Sequence, residues 1–238
     1  MESLKADYVE VWGSSQNLPL ARFAHRARSI ASTGLDMLEF SPSKKLIAEL
    51  QSFDSIVSWY GASRVEFRTA VHNFPFEFHS AIPPADCAIH AADYFASQVG
   101  CPPPAIPRID CPRTDGAFAV IHPFSGSPKK CWPLERYQEL ARRLPMPVRW
   151  CAGPEERLPD AVRIDDLYEL ACWLATARLY IGNDSGITHV AAAVGTPVVA
   201  LFGPTDPGVW APRGPNVRVI AKPMLESIAV DEVVAALC

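Results

Sequence analysis

Tyr180-Ile-Gly-Asn-Asp-Ser-Gly-Ile-Thr-His-Val190 runs directly into Ala191-Ala-Ala-Val-Gly-Thr-Pro-Val-Val-Ala-Leu-Phe-Gly-Pro-Thr-Asp206. The stretch reads as one repeating unit of a parallel sheet. Residues 179–181 form an apolar strand that ends in a Gly-Asn-Asp-Ser-Gly turn, a helix of small residues follows over 187–194, and residues 197–202 form a second apolar strand. Strands this continuously apolar, with a single helix between them, belong to a sheet covered on both faces.

Working outward, the same alternation fills the second half of the chain. Strands are expected over 117–122, 148–152 and 217–220. Helices are expected over 134–144, where Leu134, Tyr137, Leu140, Ala141 and Leu144 have helical spacing, and over 167–177 and 230–237. Strict alternation predicts an α/β lobe, doubly wound and Rossmann-like, over 114–238. Upstream the pattern is less complete, with strands expected over 8–12 and 55–59 and helices over 18–28, 43–51, 65–71 and 88–99. Between the two parts lies Cys101-Pro-Pro-Pro-Ala-Ile-Pro-Arg-Ile-Asp-Cys-Pro-Arg113, with five prolines in 13 residues. Such a run cannot occupy a helix interior or a central strand, so 101–113 is expected to be a semi-rigid linker. The first Rossmann-like lobe then spans 1–100. At 238 residues the chain is long for one domain and short for two. The shortfall falls on the first lobe, which is expected to be incomplete.

Composition narrows the function classes. Hydrophobic residues make up 49% and charged residues 20%, enough apolar content for a packed core and too little charge for a disordered chain. The 22 basic and 26 acidic side chains are spread evenly over both parts. No basic lobe or tail points to nucleic acid. The longest apolar stretch, 190–202, is broken by Gly195, Thr196 and Pro197 and falls short of the roughly 18 residues of a spanning helix. Met1 is followed by Glu2, Lys5, Asp7 and Glu10 rather than by an apolar run, so the expected compartment is the cytoplasm. The seven cysteines form no C-x-x-C pair and are odd in number, which favours reduced thiols over a disulfide framework or a structural zinc site.

Three loops carry candidate chemistry. The Gly182-Asn-Asp-Ser-Gly186 turn opens a helix, whose first N–H groups make an anion site worth about 0.3–1 kcal/mol per charge. Asp184 or Ser185 could instead serve only to cap that helix. His189 stands one turn after Ser185, on the same face. The second loop, His122-Pro-Phe-Ser-Gly-Ser-Pro-Lys-Lys-Cys-Trp-Pro133, offers Ser125, Gly126 and Ser127 as donors to phosphate oxygens and Lys129 or Lys130 as a point charge. A solvated lysine pair is the plainer reading. The third, Ala152-Gly-Pro-Glu-Glu156, places carboxylates after the second strand, where a nucleotide-binding lobe commonly holds ribose hydroxyls, although turn chemistry accounts for the Gly-Pro. All three loops leave the carboxyl ends of parallel strands and should face one crevice.

Taken together, Lys130-x-Trp132-Pro133, Gly153–Glu156, Asn183-Asp-Ser-Gly-x-x-His189 and Phe202-Gly-Pro-Thr-Asp206 resemble glycosyltransferase family 9, the ADP-heptose:lipopolysaccharide heptosyltransferases. The resemblance is strong over 117–220 and weaker before the linker. It implies a GT-B architecture of two Rossmann-like lobes, the second holding a nucleotide-sugar donor such as ADP-heptose and the first a glycan or glycolipid acceptor. On matching positions it implies that Ser125, Gly126 and Ser127 contact the diphosphate, that Lys130 neutralises it, and that Glu156 holds the ribose. Asp184, Ser185, Gly186 and His189 would line the phosphate and sugar end. The implied reaction is an inverting, metal-independent displacement with no cofactor, and membrane contact, if any, is peripheral. In that family a glycine-and-aspartate loop after the first strand supplies the general base, and Gly13-Ser-Ser-Gln-Asn17 does not match it. The base is therefore unassigned, and a non-catalytic nucleotide-sugar-binding remnant is the competing expectation. A hydrolase is disfavoured, because the serine of Gly182–Gly186 is displaced from the centre that Gly-x-Ser-x-Gly requires.

Overall fold

The computed structural model describes residues 6–114 and 116–237. The chain divides into two compact units, one made of the residues up to 87 together with 94–102, the other of 88–93 together with 103 onward.

In the first unit, β1 (Glu10–Gly13) pairs in parallel with β2 (Arg26–Ser29), Glu10 opposite Arg26 and Gly13 opposite Ser29. The short α1 (Ile30–Thr33) is capped by the Ser29 hydroxyl and closed by Gly34 at φ 79°, a left-handed position that glycine adopts without strain. α2 (Lys44–Gln51) is capped by Ser43 and buries Leu46 and Leu50. A second parallel pair, β3 (Ile56–Ser58) with β4 (Phe76–Phe78), flanks α3 (Val65–Ala70). Phe67 of α3 is fully buried at the centre of the unit's core, edge-on to Tyr60, Phe76 and Phe78.

One expectation is corrected in this unit. The helix expected over 18–28 is a single 3-10 turn, Leu18–Leu20, followed by strand β2. The cause is tertiary. Arg28 lies over the Trp12 ring, donates to Glu10 of β1 at 2.6 Å and pairs with Glu49 of α2, which holds its segment extended against β1. Phe74, Phe76 and Phe78 pack on the unit's own core.

α4 (Ala91–Gln98) starts later than expected, because the His90 ring accepts the Ala92 N–H at its start. Its first residues belong to the second unit. Both Asp93 carboxylate oxygens take bonds of 2.6 Å from Arg213. That guanidinium, with the Ala105 N–H, lowers the Asp93 pKa to about 2.

The second unit follows the alternation read from the sequence. In chain order it contains β5 (Ala119–His122), α5 (Leu134–Arg143), β6 (Val148–Trp150), α6 (Leu167–Ala175), β7 (Leu179–Asn183), α7 (Gly186–Ala193), β8 (Val198–Phe202), α8 (Pro207–Trp210), β9 (Val217–Ala221) and α9 (Val230–Ala235). The strands form one five-stranded parallel sheet in the order β6-β5-β7-β8-β9. β5 and β8 are buried throughout and β7 from its second residue, as their apolar runs require, while the edge strands β6 and β9 are partly exposed. One core cluster joins Ile121, Ile181, Val199 and Leu201 of the sheet to Tyr137 and Leu140 of α5 and Val233 of α9. α6 and α7 pack on each other, and α7 also packs on β7 and β8. The order of the sheet reverses direction between β5 and β7, the switch point at which open α/β sheets leave a crevice beyond the strand ends. Among the described residues no helix is long and apolar enough to cross a membrane.

Candidate diphosphate and ribose site

The β7–α7 turn is built by its buried residues. A Cβ on Gly182 would come within 2.6 Å of the Tyr180 hydroxyl, so glycine at 182 lets the Tyr180 ring lie along the strand and reach Thr188 Oγ1 at 3.1 Å. Thr188 in turn donates to the carbonyl of Asn183, drawing α7 against the end of β7. Asn183 is fully buried, and its side-chain amide is satisfied on both sides. Its Oδ1 accepts from the Trp132 N–H at 3.0 Å and the Tyr137 hydroxyl at 2.9 Å, while its Nδ2 donates to the Pro123 carbonyl at 2.9 Å. One amide thereby fastens both ends of the 123–132 loop to the strand beside it. Trp132, buried against Tyr137 with ring centroids 4.8 Å apart, anchors the loop further by donating to the Ile228 carbonyl at 3.1 Å.

On this base the loops that follow β5, β7 and β8 meet at Asp184. Its Oδ2 accepts from Lys130 Nζ at 2.8 Å and from the Thr205 hydroxyl at 2.7 Å, and its carbonyl accepts from Ser125 at 2.7 Å. Lys130 and Asp184, 54 residues apart, thus form an ion pair in which the lysine side chain is 32% exposed and the aspartate 9%. An ammonium has three donors, so Lys130 can keep Asp184 and still donate outward.

Ser185 occupies the N-cap position of α7 without making a side-chain cap bond. Its hydroxyl lies 3.1 Å from Thr188 Oγ1 instead, so the start of α7 keeps N–H groups with no carbonyl of the helix to meet. The simple cap is therefore not what Ser185 provides. Space lies open beside Gly186 and Gly126, where an added Cβ would have no neighbour within 4 Å. His189 is exposed on α7. Desolvation by the surrounding protein lowers its pKa, the Asp184 charge opposes that shift, and His90 and Lys130 add to it. Ser127 precedes the turn Pro128–Lys130, and its carbonyl accepts from the Lys130 N–H and the Cys131 thiol. Burial pushes that thiol's pKa up.

Glu156 stands at the end of a tight turn closed by its own N–H to the Gly153 carbonyl at 3.2 Å. Its Oε2 accepts from the Gly153 N–H at 2.6 Å and from His122 Nε2 at 3.1 Å. Desolvation works to raise the Glu156 pKa, but the His122 and Gly153 bonds and the Arg163 charge outweigh it and leave the pKa lowered.

Of the residues singled out from the sequence, Ser125 and Lys130 both donate to Asp184, and Ser185, Gly186 and His189 follow at the start of α7. Glu156 stands in the turn that follows strand β6, paired with His122. Three contributors were not singled out: Asn183, Thr205 and His122. All three lie inside quoted stretches, and at His122 and Asn183 a polar side chain closing an apolar strand was the available signal. Among the described residues no three His, Cys, Asp or Glu side chains converge as metal ligands would.

The model of glycosyltransferase family 9 (heptosyltransferase) matches residues 67–234. Lipopolysaccharide heptosyltransferase 1 of Escherichia coli is 30% identical over 127 residues, covering 47% of this chain and 40% of that protein. Lipopolysaccharide heptosyltransferase 3 of the same species is 47% identical over 120 residues, covering 42% and 35%. The chain thus spans well under half the length of these curated relatives. Among solved structures, the Escherichia coli ADP-heptose LPS heptosyltransferase II superposes with a TM-score of 0.75 at 17% identity over 97% of this chain and 88% of that one. Escherichia coli heptosyltransferase WaaC with ADP gives 0.63 at 18% identity over 97% and 98%. These likenesses carry the fold, an α/β class with parallel sheets shared with GT-B heptosyltransferases, as the sequence led us to expect. The family model spans most of the chain, and the chain belongs to glycosyltransferase family 9.

Proposed function

We propose that this chain acts in the transfer of a heptose-like sugar from a nucleotide diphosphate-sugar, with ADP-heptose the leading candidate, to a lipopolysaccharide core or related glycan. In this reading residues 114–238 hold the donor, 1–100 serve the acceptor and 101–113 link them. The observation that carries the reading is the meeting of Lys130, Asp184 and Thr205 beside the start of α7, at the switch point of a parallel sheet. A diphosphate bound there would meet the outward donors of Lys130, the Ser127 hydroxyl and the first N–H groups of α7. Gly126 and Gly186 leave room for its oxygens. Ser125 would contribute through the bond that fixes the Asp184 carbonyl, and His189 would face the sugar end.

The chemistry follows from that arrangement. An acceptor hydroxyl attacks the anomeric carbon from the face opposite the diphosphate, the C–O bond to phosphate breaks, and configuration inverts. Negative charge accumulates on the departing phosphate oxygens, where preorganised positive charge is worth most. Lys130 and the α7 start supply it in this reading without a metal or other cofactor. The acceptor proton requires a general base, to which we assign no residue. Turnover would occur in the cytoplasm, with only peripheral membrane contact.

Turnover of ADP-heptose with a lipopolysaccharide-core acceptor, followed by release of ADP, tests the reading. Product formation that is lost in Asp184→Ala supports it. ADP binding without turnover would favour the nucleotide-sugar-binding remnant, and absence of ADP binding would overturn both.

A further inference from the structure

His122 ends β5 with its side chain only 4% exposed, and the diphosphate chemistry does not use it. Its two ring nitrogens are treated unequally. Nε2 lies 3.1 Å from Glu156 Oε2, and because a carboxylate can only accept, this nitrogen carries the proton. Nδ1 is buried with no partner among the described residues. An orphaned buried nitrogen costs stability that an apolar side chain of the same shape would not. Packing alone therefore gives no reason for histidine here, and the Nε2 bond does.

The target of that bond needs holding. Glu156 closes a tight turn and is followed by residues in no regular element, so its backbone alone is a weak support. The Gly153 N–H and His122 Nε2 both bind Oε2, one from the turn and the other from a buried central strand. Both bonds from the described residues fall on Oε2, and the Glu156 side chain is 28% exposed. The carboxylate is pinned through one oxygen and presents the other. Phe124, whose ring meets the His122 ring at 67° with centroids 6.0 Å apart, limits movement of the imidazole.

We propose that His122 is a positioning residue for ribose recognition, holding Glu156 through Oε2 so that Oε1 receives the vicinal hydroxyls of the nucleoside diphosphate. This rests on the reading of Glu156 as the ribose acceptor. Sites built to bond a hydroxyl reject analogues that lack it, because the site's polar group is then left without a partner.

The test is calorimetric titration of the full 238-residue chain with ADP and with 2′,3′-dideoxy-ADP. The unaltered chain should prefer ADP by about tenfold or more. Glu156→Gln should lose most of that preference. His122→Phe, which keeps a ring in the cavity and removes the donor, should lose it as well while binding the dideoxy compound as before. His122→Gln, whose amide nitrogen can reach the position of Nε2, should recover it. Preference retained in Glu156→Gln would overturn the ribose reading itself. Preference lost in Glu156→Gln but kept in His122→Phe would overturn only the positioning role, as would equal weakening of both ligands in His122→Phe without recovery in His122→Gln. If His122→Phe does not fold, His122→Asn takes its place, since its shorter amide cannot reach Glu156. Equal preference in the Asn and Gln variants would then contradict the proposal.

Discussion

Two ionic constellations in this molecule are made of similar groups and do opposite things. In the first unit Arg28 is enclosed by Glu10, Glu49 and the Trp12 ring, and the Glu10 side chain is only 4% exposed. Every charge faces another within the fold. In the second unit Lys130, Asp184 and Thr205 meet at the ends of three loops, with the lysine a third exposed and beside a helix start that no side chain caps. Its donors are only partly used. A closed network orders the backbone around it, whereas an open one has capacity left for a ligand.

The contrast breaks most visibly at Arg28. Arg28→Ala removes the cation from the buried Glu10, which keeps the Trp12 indole as a donor, and from Glu49, and should destabilise the chain by about 3 kcal/mol, read by chemical denaturation. Wherever the protein remains folded, its ADP affinity should be unchanged. Asn183→Ala sharpens the contrast from the other side, because it removes the partner of three buried groups tying the 123–132 loop to β7. Leaving even one such group unsatisfied costs about 1–3 kcal/mol, and ADP affinity should fall along with stability. Lys130→Ala should weaken ADP binding about tenfold, or about 1.4 kcal/mol, and should cost less stability than Arg28→Ala, because the lysine is a third exposed and the buried Asp184 keeps the Thr205 hydroxyl. The smallest effect is expected at Glu156. Its folded pKa lies below the ordinary carboxyl value of about 4.3. The ionised carboxylate therefore stabilises the fold above that value, and the contribution disappears as pH falls through the lower folded pKa. Glu156→Gln should cost less than about 1 kcal/mol at pH 7, with the difference from the unaltered chain vanishing in acid-unfolding curves once the pH falls below the lowered folded pKa.

How far the sequence could be read differs between the same two regions. In the second unit every expected strand and helix lies within two residues of its observed bounds. Burial on both faces makes strands such as Val198–Phe202 continuously apolar, which is visible without knowing their neighbours. In the first unit the strand Arg26–Ser29 carries two arginines and was read as part of a helix. Its conformation is set by Glu10 and Glu49, partners 18 and 21 residues away in sequence. β4, three residues long and preceded by proline, gave no periodicity to detect.

The site divides in the same way. Asp184 and Ser185 could be recognised from a local strand-turn-helix pattern, as could the phosphate-loop candidates Ser125 to Lys130. The contributions of Asn183, Thr205 and His122 depend on bonds to residues 21 to 60 positions away, and no local pattern encodes them. Nor could the sequence reveal that Lys130 and Asp184 are each other's partners, because each is equally at home as an independent ligand contact. A polar side chain in the last positions of an apolar strand, as at His122 and Asn183, is the residue type whose function emerges only with the fold.

The central claim is that the open constellation of the second unit binds a diphosphate. Calorimetric titration with ADP and with AMP tests it most directly, because the two ligands share the adenosine that Glu156 would hold and differ by the phosphate that Lys130 and the α7 start would meet. ADP should bind at least about tenfold more tightly than AMP, and Lys130→Ala should remove most of the difference. Equal affinity for the two nucleotides in the unaltered chain would contradict it.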